Sequence, residues 1–513
     1  MNSPLLGVVA VEALLASGVR HVLLSPGSRN APLSLALHAA DEAGLLTLHV
    51  RIDERVAGFI ALGIAKASRS PVAVVTTSGT AVGNLLPAVM EARASGIPLV
   101  LLTADRPAHA VGTGANQTTD QVGLFGAQVL GTVRMSSSSG DERSWWGQLT
   151  RAVALATGIR TRLPGPVHVN VEFDLPLVDA TVRPPAAQPP RPVLASSSGV
   201  SVHEVTTPAR TVILAGDAPP AVGAEARALA RIARVPLLAE PSSNARSGDA
   251  VPRYREQLAR LGPEIERVVV FGHPTLSRPV TALLSRDDVE VIVVADRADW
   301  VDPGHVAARV VDRVLLPEGD PDWYHRWDRG VPEPTGLTFE AVAAAVVRAV
   351  GPGEHLVFGA SSSIRHADVA PVPEHPGTCH ANRGLAGIDG TLATATGIAL
   401  ATGAPTTVLL GDLTLQHDLG ALVLPPSEPT IDLRVILVDD DGGSIFGQLE
   451  QGAPEFRRAF DRVFRAPQGV DCSEAALTFG WKVDNVRSLA ALESRLRCGF
   501  SGRELLRVVP AAG

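Results

Sequence analysis

The stretch GIAKASRSP at Gly63 to Pro71 returns near the other end of the chain as GIALATGAP at Gly397 to Pro405, 334 residues later. Each copy runs directly into an apolar segment, VAVVTTSG in the first and TTVLLGD in the second. The same offset places HVLL at 21–24 onto HLVF at 355–358, and LVLLTAD at 99–105 onto LRVILVD at 433–439. Such an internal match in one register predicts a duplicated α/β domain. Because the polar residues differ between the copies, we expect one ligand held between two related halves, each half binding a different part of it.

The composition is that of a globular protein and excludes several classes of function. The 513 residues fit about three domains, at about 150 residues each, and a hydrophobic content of 45% supplies a large core. A net charge of −8 and an aromatic content of 4% argue against a nucleic-acid partner, since such proteins usually carry a basic face and stacking side chains. No apolar run approaches about 18 residues, so we expect no membrane insertion.

The N-terminus and the cysteines predict a cytoplasmic protein. Glu12 interrupts the first apolar run with helical spacing, which favours a first helix over a signal peptide. The three cysteines, Cys379, Cys472 and Cys498, are widely spaced and form no CxxC pair. This pattern is typical of a reducing compartment, and it fits neither a disulfide framework nor a zinc site.

Two segments rich in proline and serine, at 181–210 and 316–336, break the α/β pattern and predict linkers. Between them, the β-branched runs TVILAGD, VPLLAE, RVVVFGH and VEVIVVAD predict a middle domain with its own parallel sheet. The predicted fold class is therefore α/β, with three doubly wound parallel-sheet domains at 1–182, 195–325 and 337–513. Ligands of such sheets bind beyond the carboxyl ends of the strands, so the loops after the strands are the expected site.

Acidic residues follow two matched strands of the C-terminal copy. The first strand ends in Gly411-Asp412, and the next ends in Asp439-Asp440-Asp441-Gly442. A glycine lets the backbone approach a phosphate, and carboxylates on adjacent strand ends bind a hard divalent cation that bridges diphosphate oxygens. The pattern therefore predicts a magnesium diphosphate site. The alternative is that these acidic residues are solvated or cap the next helix.

A series of loop motifs carries a resemblance to a known family. The motifs are SPGSRNAPL at 25–33, RIDERVAGF at 51–59, TTSGTAVGNLLPA at 76–88, TADRP at 103–107, GANQT at 114–118, GHPTLSRP at 272–279, ANRGLAGIDG at 381–390, GDLT at 411–414 and DGGSIF at 441–446. Together they resemble the thiamine-diphosphate-dependent enzymes and, among these, the menaquinone-pathway carboligases. The resemblance spans nearly the whole chain and implies the thiamine-diphosphate-binding fold with duplicated first and last domains. The sequence departs from the superfamily at Leu413, where many members have glycine, and at the aspartate triplet, which replaces an asparagine-rich run.

The resemblance implies thiamine diphosphate and Mg²⁺, or Mn²⁺, as cofactors. The metal ligands it implies are Asp412, Asp440 and the carbonyl of Gly442. The cofactor-binding residues it implies are Glu54, Ile388, Gly411, Asp412, Leu413, Asp440, Gly442, Gly443 and Ile445. Glu54 would hydrogen-bond the pyrimidine N1′, and Ile388 would support the bent form of the cofactor. Without the resemblance, Glu54 would more often form a surface ion pair with Arg51 or Arg55, and Ile388 would be ordinary core.

Arginines in the motif loops indicate the substrates. Arg29, Arg106, Arg365 and Arg383 each stand beside small or polar residues and outside any helical charge pattern. Single loop arginines are often only solvated, but four of them in motif loops fit carboxylate clamps. The resemblance implies 2-oxoglutarate bound by Ser361 and Arg365, and isochorismate facing Ser28, Arg29, Arg106, Asn116 and Gln117. Arg383, Ile445, Phe446 and Leu449 would complete the wall, and Arg278 would reach in from the middle domain.

The implied reaction is decarboxylation of 2-oxoglutarate and conjugate addition of the resulting succinyl carbanion equivalent to isochorismate. The resemblance also implies a homodimer or homotetramer with active sites between subunits. Two alternatives stay open. A thiamine-dependent decarboxylase or carboligase of the acetolactate synthase kind should lack the arginine clamps. A ligand-binding homologue without catalysis is suggested only by the aspartate triplet, and Glu54 argues against it.

Overall fold

The computed structural model describes residues 2–189, 193, 199–327 and 330–510. The chain divides into two compact units, each of which is described by itself below. The first unit contains Met1–Ser197 together with Leu392–Gly403 and Asp418–Ile431. The second contains the remaining segments, which are Ser198–Thr391, Ala404–His417 and Asp432–Gly513. The predicted domain limits at 195 and 513 lie outside the described residues.

A six-stranded parallel sheet, in the order β2-β1-β3-β4-β6-β5, is the centre of the first unit. Its strands are β1 (His21–Leu24), β2 (Thr47–Val50), β3 (Val72–Thr76), β4 (Leu99–Asp105), β5 (Thr132–Ser136) and β6 (Val167–Glu172). The helices from this part of the chain are α1 (Ser3–Ala16), α2 (Ala31–Glu42), α3 (Glu54–Ser68), α4 (Thr80–Gly83), α5 (Leu86–Ser95) and α6 (Glu142–Thr157). Every residue of β3, β4 and β6 is buried, as expected for parallel strands covered on both faces.

A five-stranded parallel sheet in the second unit has the order β12-β11-β10-β8-β9, and a parallel pair joins β13 to β7. These strands are β7 (Val202–Glu204), β8 (Thr211–Ala215), β9 (Leu237–Ala239), β10 (Arg267–Phe271), β11 (Glu290–Val294), β12 (Ala307–Val311) and β13 (Arg313–Leu315). The helices of this segment are α7 (Pro220–Ala233), α8 (Tyr254–Leu261), α9 (Arg278–Leu283) and α10 (Pro321–His325).

Both predicted linkers contain regular secondary structure in their described residues, while 190–192, 194–198 and 328–329 lie outside the described part of the chain. The first, at 181–210, contains β7, and the second, at 316–336, contains α10. Trp323 and Trp327 are buried in the core of the middle sheet, and the Trp323 indole N–H donates to the Thr211 carbonyl at 3.0 Å. The prediction of a plain linker is wrong for the second segment. Its two tryptophan side chains bury a large apolar surface, which stabilises α10 although the surrounding sequence is rich in proline.

A second six-stranded parallel sheet has the order β15-β14-β16-β17-β19-β18. Its strands are β14 (His355–Phe358), β15 (Thr378–Ala381), β16 (Thr406–Gly411), β17 (Leu433–Val438), β18 (Lys482–Val486) and β19 (Arg503–Val508). The helices from this part of the chain are α11 (Phe339–Ala349), α12 (Ser362–Val369), α13 (Thr391–Thr402), α14 (Asp412–His417), α15 (Arg457–Phe460), α16 (Cys472–Thr478) and α17 (Leu489–Arg497). Its strand order repeats that of the first sheet position by position, which confirms the predicted duplication.

The repeated glycines that open the two copies of the motif face each other inside the first unit. Gly63 lies in α3 and Gly397 in α13. A Cβ atom added to Gly63 would lie 2.1 Å from the carbonyl oxygen of Thr394. One added to Gly397 would lie 2.1 Å from the carbonyl oxygen of Ile60. The duplicated helices therefore cross with their backbones in contact, which only glycine permits.

The N-terminal segment forms α1, as its spacing predicts, and Glu12 pairs there with Arg183. Among the residues that the structure describes, no helix is both long enough and apolar enough to cross a bilayer.

Candidate active site

Asp412 stands where β16 meets α14, at the carboxyl end of a central strand of the second unit. Its side chain is 5% exposed. One carboxylate oxygen accepts the N–H of Leu413 at 2.8 Å, and the other accepts the N–H of Gly442 at 2.7 Å. Since β16 pairs with β17, the loop after Gly411 and the loop after Val438 meet at one edge of the sheet. The structure thus brings together the two acidic loops that the sequence singled out.

The three successive aspartates have different partners. Asp439 accepts a hydrogen bond from Arg507 at 2.7 Å, and Asp441 lies 3.4 Å from a guanidinium nitrogen of Arg465. Asp440 accepts a hydrogen bond from the Ser444 hydroxyl. The two flanking aspartates therefore have arginine partners, and the charges of Asp440 and Asp439 both act on Asp412.

The electrostatics of this acidic pair suit a cation. Burial, followed by the charges of Asp440 and Asp439, raises the pKa of Asp412 to about 6. Burial also raises the pKa of Asp440. Asp412, which is buried, and Asp440, which is half-buried, offer carboxylate oxygens, the hard donors that Mg²⁺ prefers. In the described part of the chain, no group of three or more His, Cys, Asp or Glu side chains could hold a metal ion.

Glycines next to the acidic pair let the backbone turn tightly. Gly442 has a φ of 119°, and a Cβ there would lie 2.3 Å from the Arg465 carbonyl oxygen. The Gly442 carbonyl, a predicted metal ligand, accepts the Ser444 N–H at 2.9 Å. The Gly443 N–H donates to the Arg465 carbonyl at 2.7 Å. The segment after residue 441 is thus held by its own backbone close to Asp440.

The apolar residues predicted for the site wall lie partly exposed. Ile445 and Phe446 belong to a 3₁₀ helix at Ser444–Gln448, and Leu449 follows it with 36% of its surface exposed. The Phe446 ring lies 5.9 Å from that of Phe464. Ile388 is half-buried in the loop before α13, where its carbonyl accepts the Thr391 hydroxyl at 3.4 Å.

Glu54 is the first residue of α3 in the first unit, directly after the N-cap residue Asp53. Its carboxylate accepts a hydrogen bond from the Asn84 side-chain amide at 3.0 Å. The two arginines considered as partners of Glu54 have other carboxylates: Arg51 lies 2.8 Å from Glu428, and Arg55 lies 3.8 Å from Asp418. These contacts favour a functional carboxylate over a simple surface ion pair.

Arg106 fastens the loop that carries Gln117. Its guanidinium donates to the Ser78 hydroxyl at 3.0 Å and to the Gln117 carbonyl at 2.8 Å. The Gln117 side-chain amide donates in turn to the Ser78 carbonyl at 2.9 Å, and Gln117 itself has a left-handed φ of 55°. Asn116 beside it is exposed, and its carbonyl accepts the Thr118 hydroxyl at 3.2 Å.

Ser28 and Arg29 follow β1 at the same edge of the first sheet. Ser28 is exposed, whereas Arg29 is half-buried and donates to the Phe173 carbonyl at 2.9 Å. Burial, and then the positive charge of Arg106, lower the pKa of Arg29. Arg106 therefore lies close enough for its charge to act on Arg29, and the two form a first arginine pair.

The second pair lies in the second unit, where Arg365 belongs to α12, so the prediction that this arginine stands in a loop is wrong. Burial, and then the charge of Arg383, lower the pKa of Arg365. The Arg365 guanidinium donates to the Ser361 carbonyl at 3.0 Å, and Ser361 has a φ of 68° and a ψ of −128°. Arg383 is 3% exposed and donates to the Thr275 hydroxyl. Arg278, by contrast, is 77% exposed and forms an ion pair with Glu450 at 2.6 Å, which lowers the pKa of Glu450 to about 2.

Gln121 is a buried residue that the sequence reasoning missed. Its amide nitrogen donates to Asn170 at 2.7 Å and to the Ala104 carbonyl at 3.2 Å, and its amide oxygen accepts the Gly79 N–H at 3.2 Å. Gln121 thus connects β4 and β6 with the segment that follows β3. The one available signal was its position just after GANQT, since a lone glutamine carries no motif.

Comparison with known proteins adds independent information. Residues 6–124 match the family described as thiamine pyrophosphate enzyme, N-terminal TPP binding domain. The 2-succinyl-5-enolpyruvyl-6-hydroxy-3-cyclohexene-1-carboxylate synthase of Kineococcus radiotolerans is 47% identical, over 96% of this chain and 94% of its own length. The synthases of the same name from Paenarthrobacter aurescens and Nocardioides sp. are each 45% identical, over 98% and 97% of this chain and 92% and 93% of their own lengths.

Proposed function

Because the chain belongs to the 2-succinyl-5-enolpyruvyl-6-hydroxy-3-cyclohexene-1-carboxylate synthase family, we propose that it uses thiamine diphosphate to decarboxylate 2-oxoglutarate and adds the succinyl carbanion equivalent to isochorismate. The products are 2-succinyl-5-enolpyruvyl-6-hydroxy-3-cyclohexene-1-carboxylate and CO₂. The observation that carries the proposal is the placement of two arginine pairs, in which Arg106 lies close enough to Arg29, and Arg383 to Arg365, for its charge to lower the pKa of the partner. Both substrates are dianions, and a guanidinium pair is suited to binding a carboxylate of each.

Asp412 and Asp440 are the proposed ligands of Mg²⁺, or of Mn²⁺, together with the carbonyl of Gly442. Burial and the neighbouring carboxylates raise the pKa of Asp412; the cation would offset both effects and would bind the diphosphate oxygens of the cofactor. Gly411, Leu413 and Gly443 would supply backbone at the diphosphate, with Ile388 and Ile445 beside the rings. When bound, thiamine diphosphate supplies an electron sink for the pair left by decarboxylation.

Glu54 is the proposed proton-handling residue of the cofactor site. Its carboxylate would hydrogen-bond the pyrimidine N1′ and exchange a proton with it. The Asn84 amide, at 3.0 Å, holds the carboxylate in one orientation, which efficient proton transfer requires.

A homodimer is the proposed minimum unit, and a homotetramer is compatible with it. Glu54 is only half-buried, although its role needs a poorly solvated carboxylate. Ile52, two residues before it, is 82% exposed, and a large exposed apolar side chain beside a site supports an interface there. The three free cysteines support the further proposal that the enzyme works in the reducing cytoplasm.

The proposal is tested on the two half-reactions separately. We expect Arg365→Ala to slow CO₂ release from 2-oxoglutarate even without isochorismate, because the keto acid must be bound first. Arg106→Ala should leave that step nearly intact and raise the KM for isochorismate. Each loss should amount to about 2–5 kcal/mol in its own step, the usual cost of removing one member of a charge pair that is buried in the complex. Arg313→Ala, at a 66% exposed arginine, is the matched control and should change neither step.

Two results would overturn the proposal. Wild-type enzyme that prefers pyruvate to 2-oxoglutarate would indicate an acetolactate synthase-like carboligase, and release of CO₂ from neither acid would indicate an inactive homologue. Equal effects of both substitutions on both steps would reject the assignment of one arginine pair to each substrate.

A further inference from the structure

Glu240 is a buried carboxylate that the proposed function does not use. It follows β9 in the second unit, and 1% of its surface is exposed. One carboxylate oxygen accepts the N–H of Thr275 at 3.1 Å and the N–H of Leu276 at 2.9 Å. Glu240 therefore holds the backbone of the GHPTLSRP loop in place at Thr275 and Leu276.

Thr275, whose backbone N–H is bound by Glu240, accepts hydrogen bonds from Arg383. The Thr275 hydroxyl accepts from the Arg383 Nε at 3.1 Å and from Nη2 at 2.8 Å, and the Thr275 carbonyl accepts from Nη2 at 3.4 Å. Because the guanidinium is planar, these three contacts along one edge fix the orientation of the whole Arg383 guanidinium group. The chain of contacts runs from Glu240 through Thr275 to Arg383.

The charged surroundings of Glu240 decide its protonation. Asp368 and Arg365 approach from α12, Tyr254 from α8, and Arg383 from the loop after β15. Burial, and then the charge of Asp368, raise the pKa of Glu240 to about 8, against the opposing effects of its two N–H donors and Arg383. At neutral pH the side chain is therefore mostly neutral. It can accept both N–H groups without drawing on the positive charge of Arg383.

We infer that Glu240 is a positioning residue for the 2-oxo acid, acting through Thr275 to direct the Arg383 guanidinium toward a substrate carboxylate. The inference rests on the proposed function, since Arg383 is assigned to the site there. Above about pH 8, Glu240 is ionised, and its negative charge competes with the substrate carboxylate for the Arg383 guanidinium. The KM for 2-oxoglutarate should then rise on the alkaline side, with a smaller change in kcat.

The first test removes the middle of the contact chain. Thr275→Val keeps the size of the side chain and loses the hydroxyl, whereas Thr275→Ser restores it. Thr207→Val is the matched control, because Thr207 holds Arg267 through its hydroxyl and carbonyl, each at 3.0 Å, in the same way. Binding of glutarate, a dicarboxylate that cannot be decarboxylated, is measured by calorimetry alongside the KM and kcat for CO₂ release from the holoenzyme.

We expect Thr275→Val to weaken glutarate binding and raise the KM about 10-fold, a hydrogen bond to a charged group being worth roughly that factor. Thr275→Ser should recover most of the loss, and Thr207→Val should show none. Glutarate binding that is normal in Thr275→Val would overturn the inference and leave the proposed function standing. Wild-type enzyme that neither binds glutarate nor releases CO₂ would overturn the proposed function, and the inference with it.

The second test changes the ionisation of Glu240 alone. Glu240→Gln keeps an oxygen acceptor for the N–H groups of Thr275 and Leu276 but cannot ionise. We expect a near-normal KM at pH 7 and a loss of the alkaline rise in KM that wild type shows near pH 8. A purely structural role would change the thermal stability and leave the pH profile as in wild type, and that outcome would reject the coupling.

Discussion

Asp412 shows how one residue in an acidic loop can be set apart from its neighbours. Asp439 and Asp441 have arginine partners, whereas burial, followed by the charges of Asp440 and Asp439, raises the pKa of Asp412 to about 6. A carboxyl group whose pKa is raised in the folded state contributes stability below its unfolded pKa, and that contribution is lost as the pH rises through the folded value. Without a cation, the folded protein is thus destabilised by this group as the pH rises from about 4 to above 6.

Asp412→Asn should stabilise the cofactor-free protein at pH 7.5 by about 1–3 kcal/mol, at about 1.4 kcal/mol per pKa unit, and should have a smaller effect at pH 4.5. It should also abolish the rise in Tm that Mg²⁺ and thiamine diphosphate give wild type. That rise should weaken in wild type below about pH 6, as protons compete with the metal. Asp441→Asn, at a 63% exposed side chain, is the control and should keep the response. A normal response in Asp412→Asn would remove this residue from the metal site.

At the scale of the elements, the two sheets share a feature that the constant offset did not reveal. His21 Nδ1 lies 3.3 Å from His49 Nε2, and His355 Nδ1 lies 3.0 Å from His380 Nε2. Each pair joins the first residue of the first strand to the third residue of the edge strand. The sequence match missed the second members because the histidines are 28 residues apart in one copy and 25 in the other. The two copies therefore share a histidine pair at equivalent sheet positions that an alignment at constant offset does not match.

The close crossing of α3 and α13 should make the protein sensitive to any side chain added at Gly397. Gly397→Ala places a methyl group against a backbone carbonyl that cannot move without shifting its helix. We expect a loss of about 1–3 kcal/mol in the free energy of unfolding, the usual cost of overpacking, measured by chemical denaturation. Gly147→Ala is the matched control, because Gly147 lies within α6 with open space around it and should gain up to about 1 kcal/mol. A gain in both variants would show that the helices can separate at no cost.

Local patterns predicted the strands, their parallel arrangement and the loops that hold the candidate site. They could not predict the backbone of Gln117 and Ser361, whose φ values of 55° and 68° are unusual for residues with a side chain. Such conformations persist only where tertiary contacts impose them, as Arg106 does on Gln117. The buried contacts of Gln121 and Glu240 likewise join segments that are distant in sequence, so no local pattern indicates them.

At the scale of the whole molecule, the chain passes between the two compact units five times. The first unit therefore includes segments that follow residue 391. Glu428 anchors one of them, since its carboxylate accepts the Val50 N–H at 2.8 Å and pairs with Arg51 at 2.8 Å. Arg51 and Glu428 are each 4% exposed, so they form a buried pair.

A cut after the N-terminal segment of the first unit should consequently leave the two pieces associated, because later segments of the chain belong to the same unit. We expect protein cleaved at a protease site engineered into 190–198 to elute as one species in native size-exclusion chromatography and to separate only in denaturant. Glu428→Ala should weaken the association, because it leaves Arg51 buried without that partner, at a cost of about 3–5 kcal/mol. Fragments that separate under native conditions would show that Leu392–Gly403 and Asp418–Ile431 add little to the first unit.

The helix crossing also bears on how the two halves could diverge after a gene duplication. Duplicate copies ordinarily drift apart, and the loops around Glu54 and Asp412 have done so. At Gly63 and Gly397 each copy instead supplies the backbone that excludes a side chain from the other. A side chain at Gly63 would clash with the helix of the second copy, and one at Gly397 would clash with the helix of the first. The two positions therefore share a steric constraint that the copies would not have if they were separate proteins.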